Sequence, residues 1–353
     1  MSRFEPAYYV VGILGLAILM IVHESGHYLV ARRFGMRVTT FSIGFGPRLY
    51  KHQPEGSATT FQIALIPFIA YVQIAGMNPY EETDPKDVGS YQNASLWARV
   101  CTIAAGPLAN YFFASVLFFA GFMIAGKVVE DRTSMRVVTH PDGPAHAAGV
   151  VDNDRIVSVN GEHVGSWEQL TRAVSSHPGD AIELELARDG APDPVRVRVV
   201  PRAKGDENAG KIMIGPPIRV DKVGFAEAGK LAVTEPPKVV ADTIVGLVRF
   251  ISGKEKVQAA GPVGMAKMAA AAAKSGTGDL FKFLGALSAY LGGFNLLPVP
   301  ALDGGRLIFL GFEAASRRKP DAKVEAKVHA LGLLMLLCMI GFVTYYFDIM
   351  AKR

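Results

Sequence analysis

The stretch IVHESGHYLVA, at residues 21–31, places two histidines, a glutamate and a serine inside a long apolar run. That run extends from Tyr8 to Ala31. An ionisable side chain at membrane depth costs about 3 kcal/mol on insertion scales, so such residues are kept mainly where they have a function. The stretch therefore predicts a membrane helix that carries a functional site.

The composition is typical of a protein that crosses a membrane several times. Half of the 353 residues are hydrophobic and the formal net charge is +5, a profile that excludes a disordered chain and an ordinary cytosolic enzyme. A membrane helix needs about 20 apolar residues, and runs of that length lie at 8–31, 101–125, 280–297 and 328–349. No basic patch with interleaved aromatic residues is present, so we expect the lipid bilayer, and no nucleic acid, as a partner.

Basic residues at the ends of these runs predict the orientation of the chain. They cluster after the first run, at Arg32, Arg33 and Arg37, and again between the third and fourth runs, at 306–327. The positive-inside rule places such segments in the cytoplasm. Both termini and the long segment at 127–279 are then expected on the outer side of the membrane.

The spacing of HESGH is that of a metal-binding helix. Residues four apart on an α-helix lie on one face, one turn apart, so His23 and His27 can bind one ion together. Zinc fits two imidazoles and a carboxylate with a fourth position left open, and it lowers the pKa of bound water to about 7. Glu24 lies beside this pair and is suited to take a proton from that water, which is the HExxH pattern of metalloproteases.

A second motif supplies a candidate for the third protein ligand. The stretch NLLPVPALDGGR, at 295–306, ends the third apolar run with two prolines. It places Asp303 on the cytoplasmic side, where His23 and His27 are also expected. We therefore predict Asp303 as the carboxylate ligand. The alternative for this residue is the N-cap of a helix that begins at GGRLIFL.

Three motifs occur in a characteristic order: HESGH at 23–27, AAGPLAN at 104–110 and NLLPVPALDGG at 295–305. Together they resemble the site-2 protease family of intramembrane zinc metalloproteases. The four-run layout, an inserted domain and GPVG at 261–264 resemble the branch that includes the bacterial regulator of sigma-E protease. The resemblance covers nearly the whole chain.

This resemblance implies a function and a place in the cell. It implies hydrolysis of peptide bonds within or near the transmembrane segments of single-span proteins, such as anti-sigma factors or remnant signal peptides. It implies Zn²⁺ bound by His23, His27 and Asp303, with Glu24 as catalytic acid and base. The implied location is the inner membrane of a bacterium, with the active site near the cytoplasmic face.

The resemblance also implies two asparagines as substrate contacts. Asn110 in the second run and Asn295 at the end of the third become candidates for binding the substrate or the tetrahedral oxyanion. On physical grounds alone, an asparagine in a membrane helix can equally serve to join two helices.

The stretch FQIALIPFIAYVQIAGM, at 61–77, is similar to the membrane-associated β-hairpin of the family. A strand of this hairpin can pair with an unwound substrate through main-chain hydrogen bonds, and we predict that Tyr71 and Val72 hold the substrate in this way. Ile69 and Ala70 stand where the branch usually has two glycines, so the turn of the hairpin is expected to differ here.

The segment at 134–201 changes character and predicts a small soluble domain. Strand-like stretches such as RIVSVNG and AIELELARDG alternate with turn residues, and Ser166–Ser175 is a helix candidate with Ser166 as N-cap. The order of GPAHAAGV, DNDRIVSVNGEHV and SHPGDAIELELARDG resembles a PDZ domain. Such a domain can bind a peptide or a protein terminus; the alternative is a plug that excludes large substrates by size.

The predicted fold is a polytopic α-helical membrane protein with about four transmembrane helices, a membrane-associated β-hairpin and one inserted extracytoplasmic PDZ-like α+β domain. Its parts are expected at 1–126, 127–218, 219–279 and 280–353, the third being a linker with an amphipathic helix on the membrane surface, or packed on the preceding domain. Two other functions stay open: a zinc-binding transporter or sensor within the membrane, and an inactive scaffold.

Overall fold

The computed structural model describes residues 6–66, 70–78, 84–203, 210–252 and 261–350. The chain divides into two compact units. The first combines Met1–Ala125 with Val223–Arg353, and the second is Gly126–Lys222. The predicted insert at 127–218 falls within this second unit.

The helices in the described part of the chain are α1 (Pro6–Arg33), α2 (Leu96–Ala125), α3 (Pro144–Ala147), α4 (Trp167–Ser175), α5 (Phe225–Ile251), α6 (Pro262–Ser275), α7 (Thr277–Asn295), α8 (Asp303–Ser316) and α9 (Ala322–Val343), with a π-helical continuation over Thr344–Ile349. The strands are β1 (Val38–Ile43), β2 (Phe45–His52), β3 (Thr60–Ile66), β4 (Tyr71–Ile74), β5 (Lys127–Glu130), β6 (Val138–Thr139), β7 (Arg155–Val159), β8 (Glu162–His163), β9 (Ile182–Ala187), β10 (Val195–Val199), β11 (Ile214–Gly215) and β12 (Ile218–Asp221).

Three helical segments of the described chain are long and apolar enough to cross a membrane, namely Pro6–Arg33, Leu96–Ala125 and Lys323–Ile349. They correspond to the first, second and fourth predicted runs. The third run forms α7, which is not among them. Asp279 and Lys282 lower its hydropathy, and Leu284 and Ala289 are buried by neighbouring helices. A helix enclosed by other helices needs fewer apolar residues. Whether α7 crosses the membrane stays a prediction.

Small residues allow α1, α2 and α7 to pack closely. A Cβ atom at Gly26 of α1 would lie 2.3 Å from the carbonyl oxygen of Ala105 in α2. A Cβ atom at Gly292 of α7 would lie 2.7 Å from the carbonyl oxygen of Pro107. Helices in membranes commonly associate through such small residues, because close approach maximises van der Waals contact.

The predicted hairpin at 61–77 is wrong. The sheet has the strand order β2-β3-β1-β4, so β1 lies between the two strands that the sequence analysis paired. It runs parallel to β3, with Phe41 opposite Phe61, and antiparallel to β4, with Phe41 opposite Val72. The side chain of Gln62 reaches across the sheet to Ser42 and Tyr71 at 3.1 and 2.9 Å.

The reason for this error is that strand pairing is not local. The true hairpin joins β2 to β3, and β4 becomes an edge strand paired only with β1 among the described strands. The aromatic rings of Tyr28, Phe41 and Phe61 contact one another, which places the central strand β1 against α1. Ile69 lies outside the described residues, and Ala70 is buried.

The second unit has a core of its own. A four-stranded sheet of order β10-β9-β7-β8 packs with α4 around Ile156, Leu170 and Leu184. The predicted helix is confirmed, and Ser166 caps it by accepting a hydrogen bond from the amide of Gln169. The likeness of the second unit to a PDZ domain stays a prediction.

The amphipathic helix predicted within 219–279 corresponds to α5. Helix α5 starts at Phe225 and packs against α2 and α7, with Leu231 and Val240 in a shared core. Part of its apolar face therefore contacts other helices of the first unit. A position at the membrane surface stays a prediction for the remainder.

Candidate metal centre

The two histidines of HESGH lie on one face of α1 and are buried inside the first unit. Their Cα atoms are four residues apart, which is about one helical turn. The Nε2 atoms of His23 and His27 lie 3.2 Å apart, and their rings meet edge to face. Both rings therefore present a nitrogen to one point.

Asp303 completes a triangle of ligand atoms with these histidines. Its Oδ2 lies 3.2 Å from Nε2 of His23 and 3.4 Å from Nε2 of His27. Within the described residues, these three side chains form the group of histidine, cysteine and acidic residues that could hold a metal ion. The three positions predicted from sequence are therefore brought together.

The size of this triangle fits a tetrahedral ion. Ligand bonds of about 2.0–2.1 Å at tetrahedral angles place neighbouring ligand atoms about 3.3–3.4 Å apart, and the three sides measure 3.2, 3.2 and 3.4 Å. Asp303 Oδ2 is buried and has no hydrogen-bond partner among the described residues. A buried carboxylate oxygen in that state is costly unless a cation or donor satisfies it, so the donor set fits a divalent metal.

The position of Asp303 depends on the turn between α7 and α8. The N-cap of α8 is Leu302, and Asp303 is the first residue of the helix, so the N-cap alternative for Asp303 is wrong. A Cβ atom at Gly304 would lie 2.1 Å from the carbonyl oxygen of Leu297. Glycine after Asp303 therefore lets the first turn of α8 pack against the segment that follows α7.

The ring of His27 is held by the neighbouring helix. Its Nδ1 lies 2.8 Å from the carbonyl oxygen of Thr102 in α2, which accepts the Nδ1 proton and leaves the Nε2 lone pair free for a metal. A Cβ atom at Gly106 would lie 2.2 Å from His27 Nε2. The glycine of AAGPLAN thus makes room for the ligand.

The three candidate ligand residues line a cavity of about 470 Å³. Besides the three candidate ligands, its lining includes Glu24, Tyr71, Val72, Asn295 and Arg306. Glu24 lines this cavity together with Val72, so the catalytic candidate lies beside edge strand β4. Asn110 is absent from this lining; it is fully buried and its amide lies 3.3 Å from His23 Nδ1.

A buried ion pair joins the helix of Asp303 to α2. The guanidinium of Arg99 donates two hydrogen bonds, of 2.9 and 2.5 Å, to the carboxylate of Glu313 near the end of α8. The two side chains are 8% and 11% exposed. The pair therefore fixes α8 relative to α2, which also supplies the partner of His27.

Several of these contacts leave no signal in the sequence. Thr102 acts through its main-chain carbonyl, so no residue type could have indicated it. The pairing of Arg99 with Glu313 spans more than two hundred positions and has no local signal. Arg306 follows Asp303 by three residues, a spacing that places both on one helix face, and this could have pointed to the cavity.

Comparison with known proteins gives a family and a set of relatives. Residues 11–339 match the model of a protein family described as Peptidase family M50. A protein of Mesorhizobium japonicum is 35% identical over 356 residues, covering 93% of this chain and 95% of the relative. A protein of a Nostoc species is 32% identical, with 91% and 90% covered, and one of Clostridium acetobutylicum is 30% identical, with 95% of each covered. All three relatives are named as candidate zinc metalloproteases.

Proposed function

The chain belongs to peptidase family M50, and from this premise we propose that it is a zinc-dependent endopeptidase that cleaves peptide bonds within or near the transmembrane segments of single-span proteins. The proposal rests on the triangle of His23, His27 and Asp303. The distances between its ligand atoms match those expected around a tetrahedral ion. The names of the relatives support zinc as the ion. When bound, zinc polarises the scissile carbonyl and makes the attacking water more acidic.

Glu24 is the proposed acid and base. Its carboxylate lines the cavity next to the ligand atoms, within reach of a water that attacks the peptide carbonyl. It takes a proton from that water and delivers it to the nitrogen of the leaving amine. Asn295 lines the same cavity, and its amide can donate a hydrogen bond to the carbonyl oxygen as negative charge develops.

The edge of β4 that lies away from β1, which pairs with no other strand in the described part of the chain, is the proposed site for the substrate main chain. A helical peptide hides its carbonyl groups in its own hydrogen bonds, so the segment to be cleaved must first unwind. Tyr71 and Val72 lie on an edge strand that lines the cavity, and an unwound segment can add to such an edge as a further strand. This keeps the role predicted for the two residues, although the strands around them pair differently from the predicted hairpin.

The proposed location follows from the basic residues near the apolar runs. By the positive-inside rule, we propose that the metal centre lies near the cytoplasmic face and the second unit on the outer side. The family resemblance suggests the inner membrane of a bacterium as the membrane. Anti-sigma factors or remnant signal peptides are the proposed substrates. The second unit is proposed to act as a PDZ-like domain that binds a peptide or protein terminus, or that excludes large outer domains.

Co-expression with tagged single-span reporters tests the proposal. The unsubstituted chain is expected to release a cytoplasmic fragment, Glu24→Gln to bind zinc without cleaving, and Asp303→Ala to lose both zinc and cleavage. Glu227→Gln, an exposed carboxylate on α5, is the matched control and should cleave normally. A Glu24→Gln protein that cleaves normally would refute the assignment. Zinc binding without cleavage of any reporter would favour the transporter, sensor or scaffold alternatives.

A further inference from the structure

Asn110 lies directly behind His23, on the side opposite the metal-binding atoms. It is fully buried in α2, and its Nδ2 is 3.3 Å from His23 Nδ1. Its Oδ1 is also buried and has no hydrogen-bond partner among the described residues. A buried amide oxygen without a donor loses the free energy of a hydrogen bond, so this arrangement is incomplete as it stands.

The protonation of His23 explains why the amide is incomplete. When Nε2 binds a metal, the ring carries its proton on Nδ1, because a neutral imidazole has one donor and one acceptor nitrogen. That Nδ1–H needs an acceptor, and an amide NH₂ group is a donor only. Turning the Asn110 amide by half a rotation exchanges Nδ2 with Oδ1, two positions that are assigned from the hydrogen-bond network. Oδ1 then faces Nδ1–H and accepts its proton.

We propose that Asn110 is a positioning residue of the metal centre: its Oδ1 accepts the Nδ1 proton of His23 and so holds the ring with Nε2 toward Asp303 and His27. This inference rests on the proposed function, since it requires a metal at the triangle. Asn110 would then act on His23 as the carbonyl oxygen of Thr102 acts on His27, where it lies 2.8 Å from Nδ1. Neighbours of this kind fix the tautomer and orientation of a ligating histidine.

The main chain of Asn110 is itself anchored. The hydroxyl of Ser288 in α7 donates a 2.9 Å hydrogen bond to the carbonyl oxygen of Asn110, and both residues are fully buried. The residue that carries the amide is therefore joined to α7 by a buried hydrogen bond. Because Asn110 does not line the cavity, whereas Asn295 does, the structure favours a role behind His23 over direct contact with the substrate or oxyanion.

The zinc affinity of purified full-length variants tests the proposal, measured by competition with a chelator of known affinity. Asn110→Leu has similar volume but no acceptor, and it is expected to bind zinc about 10–100-fold more weakly. Asn110→Asp keeps an acceptor for Nδ1–H and is expected to retain the affinity of the unsubstituted chain. An oxyanion donor would behave differently, since its loss would slow turnover and leave zinc affinity unchanged.

Ser115→Ala is the matched control, because it removes a side-chain hydrogen bond on the same helix, from the Ser115 hydroxyl to the carbonyl oxygen of Tyr111, without touching Asn110 or His23; its zinc affinity should stay unchanged. Should Asn110→Leu fail to fold in a thermal unfolding assay, Asn110→Ala carries the same test without overpacking. Normal zinc affinity in the Leu or Ala variant, or a loss in Asn110→Asp as large as in Asn110→Leu, would overturn the positioning role. Failure of the unsubstituted chain to bind zinc would instead overturn the proposed function.

Discussion

The contact between Gly106 and His27 predicts that adding one methyl group, in Gly106→Ala, displaces a metal ligand. A Cβ atom at position 106 would lie 2.2 Å from His27 Nε2, 2.6 Å from Cε1 and 2.8 Å from Cδ2. Non-bonded atoms of this size settle at about 3.5 Å, so the ring has to move by about 1 Å. Metal ligands tolerate displacements of only about 0.2 Å. In Gly106→Ala, His27 therefore can no longer bind the ion together with His23 and Asp303.

The expected loss for Gly106→Ala is at least about 100-fold in zinc affinity, the upper end of the range for disturbed ligand surroundings, or about 2.8 kcal/mol. Zinc content and chelator competition on the purified protein measure it. Gly121→Ala is the control on the same helix, because its Cβ atom would meet Lys282 Cγ at 2.7 Å and the Gly278 carbonyl at 2.9 Å, away from the site. Normal zinc affinity in Gly106→Ala, or an equal loss in Gly121→Ala, would refute the reasoning.

Three further predictions concern other parts of the molecule. Glu313→Gln leaves the buried guanidinium of Arg99 unpaired and is expected to destabilise the protein by about 3–5 kcal/mol; thermal unfolding checks this, and Arg99→Met in the same chain should recover most of the loss. In the second unit, burial raises the pKa of Asp154, but hydrogen bonds from Arg188 and a backbone amide outweigh it, so the pKa lies below its ordinary value. The stability from this contact is present above about pH 4 and is lost as pH falls toward the lowered pKa. Arg188→Ala, which should cost about 2 kcal/mol, is expected to flatten the acid side of the unfolding curve of fragment 126–222, and an unchanged curve would contradict the assignment. Val72→Pro removes a main-chain donor on edge strand β4 and is expected to slow reporter cleavage about tenfold or more with zinc content unchanged; an equal cleavage rate would show that strand pairing is not how the substrate is held.

The periodic and local features were predictable from sequence. The apolar runs predicted the membrane-candidate helices α1, α2 and α9, because the length and composition of a run are visible without neighbours. The four-residue spacing of His23 and His27 determined that both rings share one face of a helix. Ser166 determined the start of α4, since a capping side chain bonds to an amide only three residues away.

The remaining features were decided by contacts between distant segments. Strands β3 and β4 are adjacent in the chain, which favoured their pairing, whereas the fold inserts β1 between them. Strand order depends on which faces can be buried together. The run at 280–297 was predicted to cross the membrane, but α7 is not among the described helices apolar enough to do so, and neighbouring helices bury part of its surface. The surroundings of His23 and His27 come from Asn110 and the carbonyl of Thr102 on another helix. Local sequence determines the periodicity of a helix and the identity of the ligands. The hydrogen bonds that orient those ligands exist only after α1, α2 and α8 have packed.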